Sequence, residues 1–181
     1  MGDPHLHAPV VLLLAVISRY QEALGWTIER ATSAWGPIAL QSPTFDFRET
    51  NYYEATMGPN LGKTFLAFER LADPADVGDW KFLTGDWEAE YARVGRHVEA
   101  RPLNLDPGYI TPAKLVLAST KDHAHRIYLG HGMYAEVTLY YKGGGWQFRD
   151  WTFPDYRRAD YHAFFSEVRN FLRSASKPGL P

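Results

Sequence analysis

Pro9-Val10-Val11-Leu12-Leu13-Leu14-Ala15-Val16-Ile17 is the stretch on which the fold turns. It carries no polar residue and no alternation, so as a strand it would need cover on both faces, which places it at the centre of a sheet. It is far short of the roughly 20 apolar residues that a membrane-spanning helix requires. Ser18 follows and stands three residues before Gln21, the spacing of a capping box. Tyr20, Leu24, Ile28, Ala31 and Trp35 then recur at helical intervals until Gly36-Pro37 ends the pattern.

Further along, Ile38 to Phe47 reads as a strand in which Pro43 sets a bulge or an edge, and Thr64 to Leu71 reads as another. Between them lies the polar segment Arg48 to Lys63. Asp73-Pro74 is an N-cap followed by a first-turn proline, and Val77, Trp80, Leu83, Trp87, Tyr91 and Val94 form a stripe ending at Gly95, with Gly85 placed to divide it in two. Val98 to Leu105 alternates as a strand. The order strand, helix, strand, strand, helix, strand predicts a ferredoxin-like βαββαβ sandwich over residues 9–106.

Residues 107–176 predict a β meander and a final helix. Thr111 to Ala118 fits a short helix or a strand equally. Arg126 to Leu129 and Tyr134 to Tyr141 pair as a hairpin about Gly130-His131-Gly132, and Gly143-Gly144-Gly145 turns into a third strand, Trp146 to Thr152. Tyr161, Phe164, Phe165, Val168 and Phe171 mark the last helix, with Lys177-Pro178-Gly179 as a frayed tail. The expected class is therefore α+β: one domain over 1–181, a ferredoxin-like part extended by an antiparallel β segment and a C-terminal helix.

The 181 residues hold 19 Lys+Arg against 21 Asp+Glu and no cysteine, which removes thiolate nucleophiles, disulfides and Cys-ligated zinc, and fits a cytoplasmic protein. The near-neutral total hides an asymmetry. Residues 1–100 carry 8 basic and 14 acidic side chains, a net of -6, and residues 101–181 carry 11 and 7, a net of +4. Such a split means either an anionic ligand on one side or two halves that pair in the fold. Aromatics are plentiful, with 10 Phe, 11 Tyr and 6 Trp, enough for a core and for a ligand wall or interface besides.

Gly58-Pro59-Asn60-Leu61-Gly62-Lys63-Thr64 imitates a phosphate-binding loop but has three residues, not four, between its first glycine and Gly-Lys-Thr, and it leads into a strand instead of a helix. A tight turn explains it. Lys121-Asp122-His123-Ala124-His125-Arg126 is the densest polar cluster. As a cationic patch, Lys121, His125 and Arg126 suit a phosphate or carboxylate, with Tyr128 and Trp151 as aromatic neighbours. As a metal site, His123 and His125 would need Asp106 or Glu136 as a further ligand, although Asp106 can equally cap a Pro-Gly turn and Glu136 can be the solvent side of a strand. Arg149, Arg157 and Arg158 interleave with the aromatics of Trp146 to Tyr156, a pattern that serves single-stranded nucleic acid or simply a core and its rim. At a pI near 6.4, double-stranded nucleic acid is not an expected partner.

Asn104-Leu105-Asp106-Pro107-Gly108-Tyr109, Ala113 to Ala118, His125 to Leu129, Tyr134 to Leu139 and Trp151-Thr152-Phe153-Pro154-Asp155-Tyr156 together resemble a bacterial family defined as a domain of unknown function (DUF4416-like). Phe45-Asp46-Phe47, Tyr52-Tyr53 and Phe68 to Leu71 resemble it too, so the likeness runs from the first strand to the last helix. His125 and Arg126 fall on its motif positions and His123 does not, and Gly62-Lys63-Thr64 departs from its pattern. The resemblance implies no substrate, cofactor or catalytic residue. It leaves Asp106, Tyr109, Lys114, His125, Arg126, Tyr128, Glu136, Trp151 and Asp155 as residues to examine. The leading expectation is a binding protein for a small anionic ligand, with a nucleotide among the candidates. The alternatives are a metal-dependent hydrolase and a structural or oligomer-forming protein.

Overall fold

The computed structural model of the chain describes residues 3, 5–49, 53–95, 97 and 98–175. Tyr52 and the tail read at Lys177 to Gly179 lie outside the described residues. The first strand, β1 (Val11–Ser18), is buried from Val11 to Ile17 and lies between β4 (Leu61–Phe68) and β5 (Asn104–Ile110), antiparallel to both. Its apolar run is explained by two separate cores. Val11, Leu13 and Ala15 face one core with the C-terminal helix α4 (Ala159–Ala175). Val10, Leu12, Leu14 and Val16 face the other, with α1 (Gln21–Trp35) and α3 (Val77–Val94).

The protein is thus α+β, with one nine-stranded antiparallel sheet between helices on its two faces. Strands β2 (Ile38–Gln41) and β3 (Phe45–Phe47) both pair β4, so the strand expected over Ile38 to Phe47 is broken at Ser42-Pro43-Thr44. A short helix, α2 (Glu54–Met57), lies within the polar segment. Beyond β5 come β6 (Lys114–Ser119), β8 (Met133–Lys142) and the outer β7 (Ile127–Gly130), with β9 (Gly145–Gln147) also on β8. Residues 114–119 are therefore strand.

Three local expectations are corrected. Ser18 forms no capping box: its hydroxyl donates to the Pro102 carbonyl at 2.7 Å and accepts from the Tyr20 amide, and Tyr20 at the N-cap makes no side-chain cap. Gly85 does not divide α3, which runs unbroken on a buried stripe of Val77, Trp80, Thr84, Trp87 and Tyr91. The strand expected at Val98 to Leu105 begins only at Asn104, and Asp106-Pro107-Gly108 is strand, not turn. Asp73 caps as expected, accepting from the Ala75 amide at 2.9 Å.

Pro107 and Gly108 control how far β5 and β6 zip together. Their ladder holds only Gly108, Tyr109 and Ile110 against Leu117, Val116 and Leu115. The next residue back is Pro107, which has no N–H to give a ladder. Gly108 is the closest approach: a Cβ there would lie 2.1 Å from the Val116 carbonyl oxygen. Gly108→Ala is expected to force the backbones apart and destabilise by about 1–3 kcal/mol or more in urea denaturation. A loss under about 0.5 kcal/mol would show that this contact relaxes freely.

Candidate functional site

Because β6 continues to Ser119 on β8 while β5 stays with β1, the two strands diverge below Gly108 and Leu117. A cleft of about 450 Å³ opens there, with Asn104 and Asp106 on one wall and Leu117, Ala118 and Ser119 on the other. The size suits a small molecule. Aromatic lining comes from Phe47, Tyr53, Phe153 and Tyr156.

The cleft is charged at unusual depth. Lys63 of β4 is only 2% exposed, because it stands on the same face as the core residues Phe65 and Ala67. Its ammonium donates to Asp155 Oδ2 at 2.6 Å and sits 4.1 Å from the Tyr156 ring centroid. Among the described residues Asp155 is its one hydrogen-bond acceptor, although an ammonium has three donors. Lys81, on the buried side of α3, donates to the Leu105 carbonyl at 2.6 Å and to Asp106 Oδ1 at 3.1 Å. Burial pushes the Asp106 carboxyl up, but the charges of Lys81 and Lys63 and the Asn104 amide overcome this and hold it below its usual range.

Arg101 closes the network by donating to Glu88 at 2.8 Å and to Asn104, while Glu88 also accepts from the Leu105 amide at 2.8 Å. Tyr156 is the exception to this pairing. Its hydroxyl is buried without a hydrogen-bond partner among the described residues. Burial, then the carboxylates of Asp155 and Asp106, push its ionisation well up, so at neutral pH it is a donor.

The residues expected from sequence are divided by this geometry. Asp106, Lys121, His123, Arg126 and Glu136 line the cleft. Arg126 is committed to the fold: Nε donates to Glu136 Oε2 at 2.8 Å, and Nη1 donates to the Ser119 hydroxyl at 2.7 Å and to the Lys121 carbonyl at 2.9 Å. His125 Nε2 lies 3.0 Å from the same Glu136 oxygen, and Trp151 stacks on its ring with centroids 5.5 Å apart. Glu136 is not a solvent-facing strand residue; it is buried, and its second oxygen accepts from Thr138 at 3.0 Å. Tyr128 stands away on β7, exposed and against Tyr134.

His123 and His125 stack ring on ring, 5.8 Å between centroids. Among the described residues no three His, Cys, Asp or Glu side chains form a group that could hold a metal ion, and the set His123, His125, Asp106 and Glu136 is no exception. The basic-aromatic segment after Trp146 also separates: Trp146 is core, Arg149 lies over Tyr140, and Arg157 lies over the half-exposed Phe148. Gly62 and Lys63 are paired within the sheet against Ser18 and Ile17 on one side and Asp46 and Phe45 on the other, so this Gly-Lys-Thr is no phosphate loop. No sequence motif marks Lys63 or Lys81 as a cleft residue. The available signal was a lysine on an otherwise apolar strand face and another on a buried helix stripe.

An α+β protein with a deep, charge-paired cleft at a split in its sheet is what fold and site define. The chain belongs to the family described as a domain of unknown function (DUF4416), whose model it matches over residues 8–171. No curated protein and no solved structure matches it. Among the described residues no helix is long and apolar enough to cross a membrane.

Proposed function

We propose that the protein binds a small anionic ligand in the cleft between β5 and β6. One observation carries the reading: Lys63 and Tyr156 are lining residues of the cleft, and the Lys63 ammonium and the Tyr156 hydroxyl are buried there with donor capacity that no described residue fills. Unmet buried donors cost free energy, on the order of 1–3 kcal/mol each, and an anion between them recovers it. The anchor of the anion thus moves from the expected Lys121, His125 and Arg126 to Lys63 and Tyr156, since Arg126 is bound to Glu136, Ser119 and the Lys121 carbonyl.

Tyr156→Phe tests this cleanly. It removes a hydroxyl that has no partner, so stability should hold or rise slightly, while ligand affinity should fall. Thermal unfolding with inorganic phosphate, acetate or phenylacetate is expected to show a rise with at least one of them, near 2.7 kcal/mol of stabilisation at roughly 100 times Kd. The rise should shrink in Tyr156→Phe. No rise with any of the three, or an equal rise in the variant, would overturn the reading.

For the fold, the reading that residues 9–106 make a ferredoxin-like unit is supported by the antiparallel order β2-β4-β1-β5 and by α1 and α3 sharing one face. An experimental structure in which β4 did not separate β2 from β1 would remove it.

A further inference from the structure

We infer that the apolar face made by β7, the middle of β8 and the start of α3 is the contact surface of a two-fold dimer of this chain. None of its residues lines the cleft, so it is independent of the anion reading.

Sheet register fixes which side chains share this face. Ala118 belongs to the core beneath α3, and it pairs Ala135, which in turn pairs Ile127. Val137 pairs Val116, two residues from Ala118, and so points the same way. Helix α3 covers only part of the face. It starts over the hairpin, where a Cβ on Gly78 would lie 3.7 Å from Met133 and 3.9 Å from Leu129, and it crosses to β5, where Lys81 and Glu88 hydrogen-bond the Leu105 backbone. The outer strands are left open. Ile127, Leu129 and Val137 are 73%, 45% and 40% exposed, and Phe82 on the outer side of α3 is 60% exposed. Between Phe82, Leu129 and Met133 lies a groove of about 330 Å³.

Size and charge point to a second copy as the occupant. The four exposed side chains present on the order of 400 Å² of apolar surface, in the range that marks a contact site on a soluble protein. A standard interface takes about 800 Å² from each partner, an apolar centre with a polar rim making up the rest. The rim here carries both signs. Asp79 and Asp86 flank Phe82 on the helix surface, at the spacing of one helical face. On the strands, Lys114 stands two residues from Val116, hence on this face, and Arg149 lies over the Tyr140 ring opposite it. Among the described residues no ion pair engages any of these four charges. Two-fold symmetry sets the acidic helix of each copy against the basic strand side of the other, with each Ile127 seated in the facing groove beside Phe82, so every attraction occurs twice. A partner of a single charge sign would meet repulsion on one side of the patch.

Sedimentation velocity of the untagged protein across micromolar concentrations tests the dimer. A monomer–dimer equilibrium is expected for the wild type, and Ile127→Asp and Phe82→Asp, both at exposed positions, should each weaken it about tenfold or more. Phe148→Asp, at an exposed aromatic outside the patch, should leave it unchanged. A wild type that stays monomeric throughout would overturn the inference and leave the face to a different partner. Dimerisation as tight in both patch variants as in wild type would overturn it by placing the contact elsewhere. Growth into larger oligomers would overturn the two-fold arrangement.

Discussion

Asp155→Ala is expected to cost about 3–5 kcal/mol of folding stability in urea denaturation, a large share of the roughly 5–15 kcal/mol that holds a domain together. The cause is the lysine left behind. Lys63 and Asp155 are 3% and 5% exposed, and removing the carboxylate strands an ammonium among Phe47, Phe65, Tyr156 and Tyr161. The double replacement Lys63→Met with Asp155→Leu should recover most of the loss, because a buried ion pair exchanged for packed apolar groups is often neutral or stabilising. That variant should fold yet no longer bind the anion. A loss below about 1 kcal/mol in Asp155→Ala would show that Lys63 is hydrated or otherwise compensated.

Glu136→Ala is the second large effect, again about 3–5 kcal/mol by the same measurement. Both oxygens of Glu136 are used, one by Arg126 and His125 and the other by Thr138, and Arg126 itself is 4% exposed along its side chain. The arginine also ties Ser119, at the end of β6, to the Lys121 carbonyl. Its loss should therefore loosen the β6 wall of the cleft as well as the β7–β8 hairpin. Glu136→Gln keeps an acceptor but loses the charge, and should lie between wild type and alanine. Indistinguishable stability for Glu136→Ala and wild type would show that the buried guanidinium does not depend on it.

Local pattern carried most of the elements. The unbroken apolar run of β1, the Asp73-Pro74 helix start and the hairpin about Gly130-His131-Gly132 were all legible, because each depends on residues close in sequence. Asp106-Pro107-Gly108 misled for the opposite reason. Those residues ordinarily make a turn, and only the neighbouring strands make them useful inside β5, where Gly108 admits the Val116 carbonyl and Pro107 has no ladder bond to offer β6. Lys63 was absorbed into the Gly-Pro segment preceding it, which moved the expected strand start three residues late, to Thr64.

The site was legible only in part. Asp106, Lys121, His123, Arg126 and Glu136 do gather at one cleft, but which of them is committed to the fold depends on partners brought in by tertiary structure. Lys63 meets Asp155 across 92 residues, and Lys81 meets Asp106 across 25, separations at which spacing carries no signal. What remains is Tyr156, a phenol whose lack of a partner can be seen only when everything packed around it is known.

A crystal structure of the wild-type protein with phenylacetate bound tests the anion site most directly. The carboxylate is expected within hydrogen-bond reach of Lys63 Nζ and the Tyr156 hydroxyl, with the ring between the β5 and β6 walls. Density for the ligand at the outer strand β7 or at the Lys121 to Arg126 surface, with the cleft holding only solvent, would contradict it.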